Sequence, residues 1–300
     1  MKLIAALCTY LIFMAAFSDM TIAGETGHYV SGVEGIRSGS VPPPGLYYRL
    51  YSVFYRSHDL TDRNGNRIDN NFDLRVFSNV HRLIWVTDKN ILGGDYFVHA
   101  VVPVVYTDFE INAAGIKDND FGLGDIDFSP LSIAWHRDRY DLAVGLDFFA
   151  PTGQYNKRNP ASPGKDFWTT MFTAGATYYL NEEKTWSSAI LARYETHSNK
   201  DHSDIKPGDN LHFEWGIGKA IDKTLEVGLA GYSQWQVTDD SGSDVTWSKS
   251  IHDQVHAIGP EINLAIPSKS MFLTFRYLWE FHAVDSPEGQ LMALTLTKRF

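Results

Sequence analysis

Cysteine is almost missing from this chain. The only one, Cys8, lies in an apolar opening stretch, and none follows in the remaining 292 residues of the 300. Exported soluble domains often lean on disulfides, whereas a fold closed by its own hydrogen bonds has no need of them. A basic stripe is also missing. Scattered Lys and Arg, 26 in all, face 36 Asp and Glu, giving a net charge of −10 that excludes nucleic acid as a partner. After the opening stretch there is no long hydrophobic run, although 44% of the residues are hydrophobic. No segment holds a helical apolar period, which excludes helix bundles and helical membrane spans.

The opening stretch itself is informative. Lys2 is followed by apolar residues from Leu3 to Phe17 and by the small-residue end Thr21-Ile22-Ala23. That order predicts a secretory signal peptide over residues 1–23, cleaved after Ala23. From residue 45 apolar and polar residues alternate, as on a strand whose successive side chains point to opposite faces. Twelve strands are expected, near 45–59, 72–87, 95–109, 124–136, 139–150, 168–180, 185–198, 210–221, 224–238, 252–266, 270–283 and 289–300. The phase slips at Pro130, which predicts a bulge, and the faces of 72–87 cannot be assigned.

The connections alternate between long (60–71, 110–123, 151–167, 199–209, 239–251) and short (88–94, 137–138, 181–184, 222–223, 267–269). A sandwich has no reason to collect its long loops at one end, but an outer-membrane meander does. The predicted fold is all-β: a transmembrane up-and-down antiparallel β-barrel of about 12 strands over residues 45–300. A Gly/Pro-rich segment, 24–44, precedes it. In "MFLTFRYLWEF", Met271 to Phe281, the apolar and aromatic positions are expected to meet lipid, with Arg276 and Glu280 inside. Aromatic residues near strand ends (Tyr47, Tyr48, Trp85, Trp168, Tyr178, Tyr179, Trp186) suit interfacial girdles. The last strand, "QLMALTLTKRF", ends on Phe300, which resembles the C-terminal signal of outer-membrane barrels; Lys298 departs from that pattern. The ending implies recognition by the barrel-assembly machinery through Phe300.

The clearest inward set is Arg193, Glu195, Glu214, Glu226, Gln234, Gln236, Arg276 and Glu280. Such a mixture either forms a charged constriction of a pore or braces a filled interior by mutual neutralisation. Residues 24–44, with "GSVPPPG" at 39–45, form either an inserted plug or gate or an ordered periplasmic tail. "DRNGNRIDNNFD", 62–73, has the outline of a calcium loop but carries Arg67 where glycine is required. His252 and His256 of "HDQVH" would stand about 13 Å apart on a strand, too far to share a zinc ion. No metal, cofactor or catalytic residue is expected.

Several motifs recur together in one family: "GHYVSGVEGIRSGSVPPPGLYY" near the N terminus, "GLGDIDFSPL", "DFFAPTGQY", "SPGKDFW", "KTWS", "RYE", "EWGIGK" and "AIGPEI". As a set they resemble the meta-pathway phenol-degradation family of outer-membrane proteins. The resemblance implies a transmembrane barrel that passes aromatic or other hydrophobic compounds. The expected partners are outer-membrane lipid, lipopolysaccharide and a small aromatic or hydrophobic solute. A channel is therefore expected; the alternatives are a lipid-hydrolase-like barrel enzyme and a structural or adhesion barrel.

Overall fold

The computed structural model describes residues 26–300; the expected signal peptide and its cleavage site lie outside the described residues. Thirteen strands follow in chain order: β1 (Gly45–Leu60), β2 (Phe72–Ile91), β3 (Gly94–Ile111), β4 (Ile116–Leu123), β5 (Ile126–His136), β6 (Tyr140–Ala150) and β7 (Thr169–Tyr179). The rest are β8 (Trp186–His197), β9 (Asn210–Ala220), β10 (Leu225–Gln236), β11 (Gln254–Ile266), β12 (Met271–Val284) and β13 (Pro287–Arg299). All pairings are antiparallel, and β1 bonds to both β2 and β13, so the sheet closes on itself. β4 and β5 are two halves of one stave. β5 pairs with Asp95–Val101 of β3, β4 pairs with Val104–Ile111, and Gly124 and Asp125 lie between them. The ring thus has twelve staves, and closure leaves no open sheet edge to be hydrated, as hydrocarbon demands.

Long connections (61–71, 151–168, 198–209, 237–253) share one end, and short ones (92–93, 137–139, 180–185, 221–224, 267–270) the other. The connections 112–115 and 285–286 are the exceptions, short on the long-loop side. The expected loop 110–123 is corrected: β3 runs on to Ile111 and the chain returns as β4. Its sequence, Ile116-Lys117-Asp118-Asn119-Asp120, is polar on both faces, so alternation gave no sign of a strand there. The slip at Pro130 is a register shift between Phe128 and Leu131 against β6.

The face of β12 is sharply divided. Phe275 and Trp279 are 46% and 45% exposed, whereas Arg276 and Leu278 are 3% and 1% exposed. Leu273 stands opposite Leu264 and Leu296 in the lipid-facing row, and Thr274 donates inward to Asn263 Oδ1. Phe275→Arg, farther up the same row, should therefore depress folding into vesicles by up to about 2–4 kcal/mol, the cost of a lipid-facing arginine toward the midplane. Leu273→Arg, beside the short turn, should depress it by less. Thr274→Arg should cost much less, and equal folding yields would overturn this register. Trp85, Tyr140, Tyr178 and Trp186 are exposed at the short-turn end and form a girdle there. Tyr47 and Tyr179 leave the expected girdle: they turn inward, donating to Pro43 O and Asp141 Oδ2.

Candidate functional site

Residues 26–44 run inside the ring, and the inner wall receives them residue by residue. Glu195 of β8 accepts the backbone N–H groups of His28 (3.1 Å) and Tyr29 (2.9 Å). Glu214 of β9 accepts those of Gly32 (2.9 Å) and Glu34 (2.8 Å), and Glu261 of β11 that of Ile36 (3.1 Å). These three wall carboxylates are 0–2% exposed. A segment without secondary structure must find partners for its amides, and charged acceptors are the strong ones. Opposite Ile36 the wall is bare: an added Cβ at Gly216 or Gly218 would collide with it. The inward glycines of β9 thus make room for this segment to lie flat against the sheet.

The same carboxylates hold arginines. Arg193 Nη1 donates to Glu214 Oε1 at 2.8 Å, and Arg276 bonds Glu261 Oε2 at 2.8 Å while its Nη1 donates to Gly32 O. Arg37 pairs with Glu226 at 2.9 Å. Glu34 accepts from Arg49, Arg82 and Tyr51. Of the eight residues expected inside, Arg193, Glu195, Glu214 and Arg276 converge on residues 28–34. Gln234 is within 3.4 Å of Ser31. The others stand apart: Glu226 near the short-turn end, Glu280 between Tyr55 and Tyr232, and Gln236 against Asp240. They do not form one ring. Glu34, Glu261 and the residues of the cavity described next are absent from the set expected on alternation.

Beside this segment a cavity of about 330 Å³ follows β2 and β3. Val76, Val80, Val101, Pro103 and Val105 of the wall and Val30 and Val33 of the inner segment give it apolar sides. This explains why β2 shows no readable phase. Its inner face is nearly as apolar as its lipid face, so the period-2 signal vanishes. The cavity ends on a polar floor of Arg82, His99, Asp127 and Asp147. His99 Nε2 lies 2.9 Å from Asp147 Oδ1 and 3.3 Å from Asp127 Oδ2, and Arg82 Nη2 is 3.1 Å from His99 Nδ1.

That floor has the residue types of a metal centre, with ligand atoms within 4.8 Å of one another. The contact of Arg82 with His99 argues otherwise. Arginine only donates, so His99 Nδ1 must accept and its proton sits on Nε2. A metal needs the Nε2 lone pair, which would place a proton on Nδ1 against the guanidinium. The ring therefore delivers one N–H to two carboxylates.

Ser31, His212 and Glu195 form another suggestive string: Ser31 Oγ is 3.0 Å from His212 Nδ1, and His212 Nε2 is 2.9 Å from Glu195 Oε2. All three are 4% exposed or less, and the lumen is filled there, so no acyl group has a path to the hydroxyl. The calcium-like loop spends Asp62 Oδ1 on the N–H groups of Asn64 and Asn66. His252 bonds Asp239 and His256 bonds Ser233, each to its own partner. At the long-loop end, burial and the neighbouring Asp240 push the Asp253 carboxyl up to about 6.

The family model described as "Putative MetA-pathway of phenol degradation" matches residues 57–296. Among solved structures, an outer membrane channel from Pseudomonas putida F1 superposes with a TM-score of 0.78 at 13% identity, over 91% of this chain and 100% of that one. The transport unit of the autotransporter AIDA-I from Escherichia coli gives 0.52 at 9% identity, over 96% and 97%. At these identities the likeness is one of fold. A search of curated sequences returns no match.

Proposed function

Given that the chain belongs to the MetA-pathway phenol-degradation family and folds as an outer-membrane barrel, we propose that it admits small apolar compounds, aromatic ones among them, across the bacterial outer membrane. The observation that carries this reading is the valine-lined shaft, about 330 Å³, inside a barrel whose neighbouring lumen charges are paired with one another. An apolar cavity of about 150 Å³ suffices for benzene, so the shaft holds a small ring with room to spare. Residues 24–44 act in this reading as a plug, and the long connections face the medium outside the cell. Phe300, exposed beyond β13 with its N–H on Leu46 O, is offered to the barrel-assembly machinery.

The test is flux. The refolded chain, freed of its first 23 residues, is placed in planar bilayers and in vesicles, and conductance and entry of simple aromatic solutes are followed. Entry of apolar solutes above the rate for protein-free vesicles, with currents that the same solutes depress, is the expected result. A folded barrel that leaves solute entry unchanged overturns the reading.

A further inference from the structure

The floor of the shaft is short of hydrogen-bond donors, and this sets what it can hold. Asp127 and Asp147 share the single N–H of His99, because Arg82 fixes the other ring nitrogen as an acceptor. Thr173 supplies one more donor, to Asp147 Oδ2 at 3.2 Å. Asp127 Oδ1 has no partner, although the residue is only 6% exposed. A buried carboxylate oxygen without a donor is costly, and a ligand that brings one is favoured by the same amount.

The cations of the floor are already paired, each keeping one buried N–H, Nε of Arg82 and of Arg193, without an acceptor. Arg82 is engaged by Glu34, Tyr51 and His99, and Arg193 by Glu214 and Tyr29. A ligand carboxylate entering here would meet Asp127 and Asp147, with Glu34 and Glu214 already holding the two arginines and a single Nε–H on each left to receive it. Like charges in a low-dielectric site repel strongly. The walls above the floor, Val80, Val101 and Val105, offer nothing but apolar contact.

We propose that this floor is a recognition site for apolar compounds that end in a hydrogen-bond donor, a hydroxyl or an amine, bound with that end on Asp127 and the apolar body along the valines, and that it rejects carboxylates. The proposal rests on the reading of the shaft as the solute path. It assigns the specificity of that path to His99, Asp127 and Asp147.

The experiment uses four compounds of one shape: toluene, benzyl alcohol, benzylamine and benzoate. Each is titrated calorimetrically into the refolded chain in lipid nanodiscs, with protein-free nanodiscs of the same lipid subtracting partition into the bilayer. Benzyl alcohol and benzylamine are expected to bind about tenfold or more tighter than toluene, the return on one hydrogen bond to a charged acceptor. Benzoate is expected to give no heat. Binding of the amine but not the alcohol would narrow the donor to a cation and still support the site. Asp127→Asn should erase the gap between benzyl alcohol and toluene while leaving toluene unchanged. Val101→Trp, which fills the shaft, should abolish binding of all four.

Toluene binding as tightly as benzyl alcohol overturns the donor site but leaves the channel reading standing. Benzoate binding as tightly as the alcohol does the same. Absence of heat from all four, together with unchanged solute entry in the flux assay, overturns both. Zinc displacing benzyl alcohol at micromolar concentration would overturn the tautomer on which the site depends. Retention of the heat-modifiable band of a folded barrel on gels identifies variants fit for comparison.

Discussion

Removal of residues 24–44 should convert a nearly closed barrel into an open pore, with steady current steps at least several-fold larger than those of the intact chain. The reason is geometric. Twelve staves enclose more space than side chains alone fill in the smallest barrels, and here residues 26–44 occupy the difference. Without them Glu195, Glu214 and Glu261 lose the amides of residues 28–36 and become hydrated, and water follows the ring of charges through the lumen. Loss of Glu34 also frees Arg49 and Arg82, but Glu195, Glu214, Glu226 and Glu261 match these and Arg193 and Arg276. Asp125, Asp127 and Asp147 exceed them, so the current should favour cations. Planar-bilayer recording of the shortened chain beside the intact one reads the effect directly. Equal conductance would mean that the segment braces the wall and does not gate it.

Glu214→Ala should be the most damaging single substitution in the lumen. Glu214 is fully buried and accepts from Gly32 N, Glu34 N, Arg193 Nη1 and Tyr29 Oη. Alanine leaves the guanidinium of Arg193 buried without a counter-charge, a loss of about 3–5 kcal/mol. Two backbone amides are orphaned besides. Urea unfolding of the variant in vesicles should show the lower midpoint, and its bilayer currents should flicker as residues 28–34 come loose. Glu214→Gln, which keeps an acceptor but no charge, should fall between. The double variant Arg193→Met, Glu214→Leu removes both charges and should recover much of the stability. An alanine variant as stable as the parent would show that Arg193 is already satisfied elsewhere.

Much of the wall was legible in the sequence because lipid imposes one rule on every stave. An apolar outward row at period 2 has nowhere to hide in β9, β10 or β12, and loop lengths fix the up-and-down order. The rule fails where the inner face is not polar. β2 reads as ambiguous because Val76, Val80, Ile84 and Val86 point inward, and β4 is missed because Lys117 to Asp120 are polar on both faces. The lumen was only half legible. Alternation puts Arg193, Glu195 and Glu214 inside, but what they hold is the backbone of residues some 165 to 185 positions earlier. Nothing local records that distance. Asp147 alternates with Leu146 and Phe148 in β6, but its partners His99 and Arg82 sit in apolar runs that mask them. Glu261 follows Pro260 at the middle of β11, and its role appears only with Ile36 in place.

The wall carboxylates that receive residues 28–36 also impose an order on assembly. They belong to β8, β9 and β11, whereas the segment they hold is the first of the described chain to reach the periplasm. Contacts across 160 residues and more cannot form until the intervening chain is ordered, so they are late and slow. Residues 26–44 must wait, amides hydrated, while the second half of the sheet is laid down. The earliest stretch is the last to be seated, and its docking marks the end of folding. A barrel built in this way is sealed from within only after its wall is finished, and an incomplete wall cannot be sealed at all.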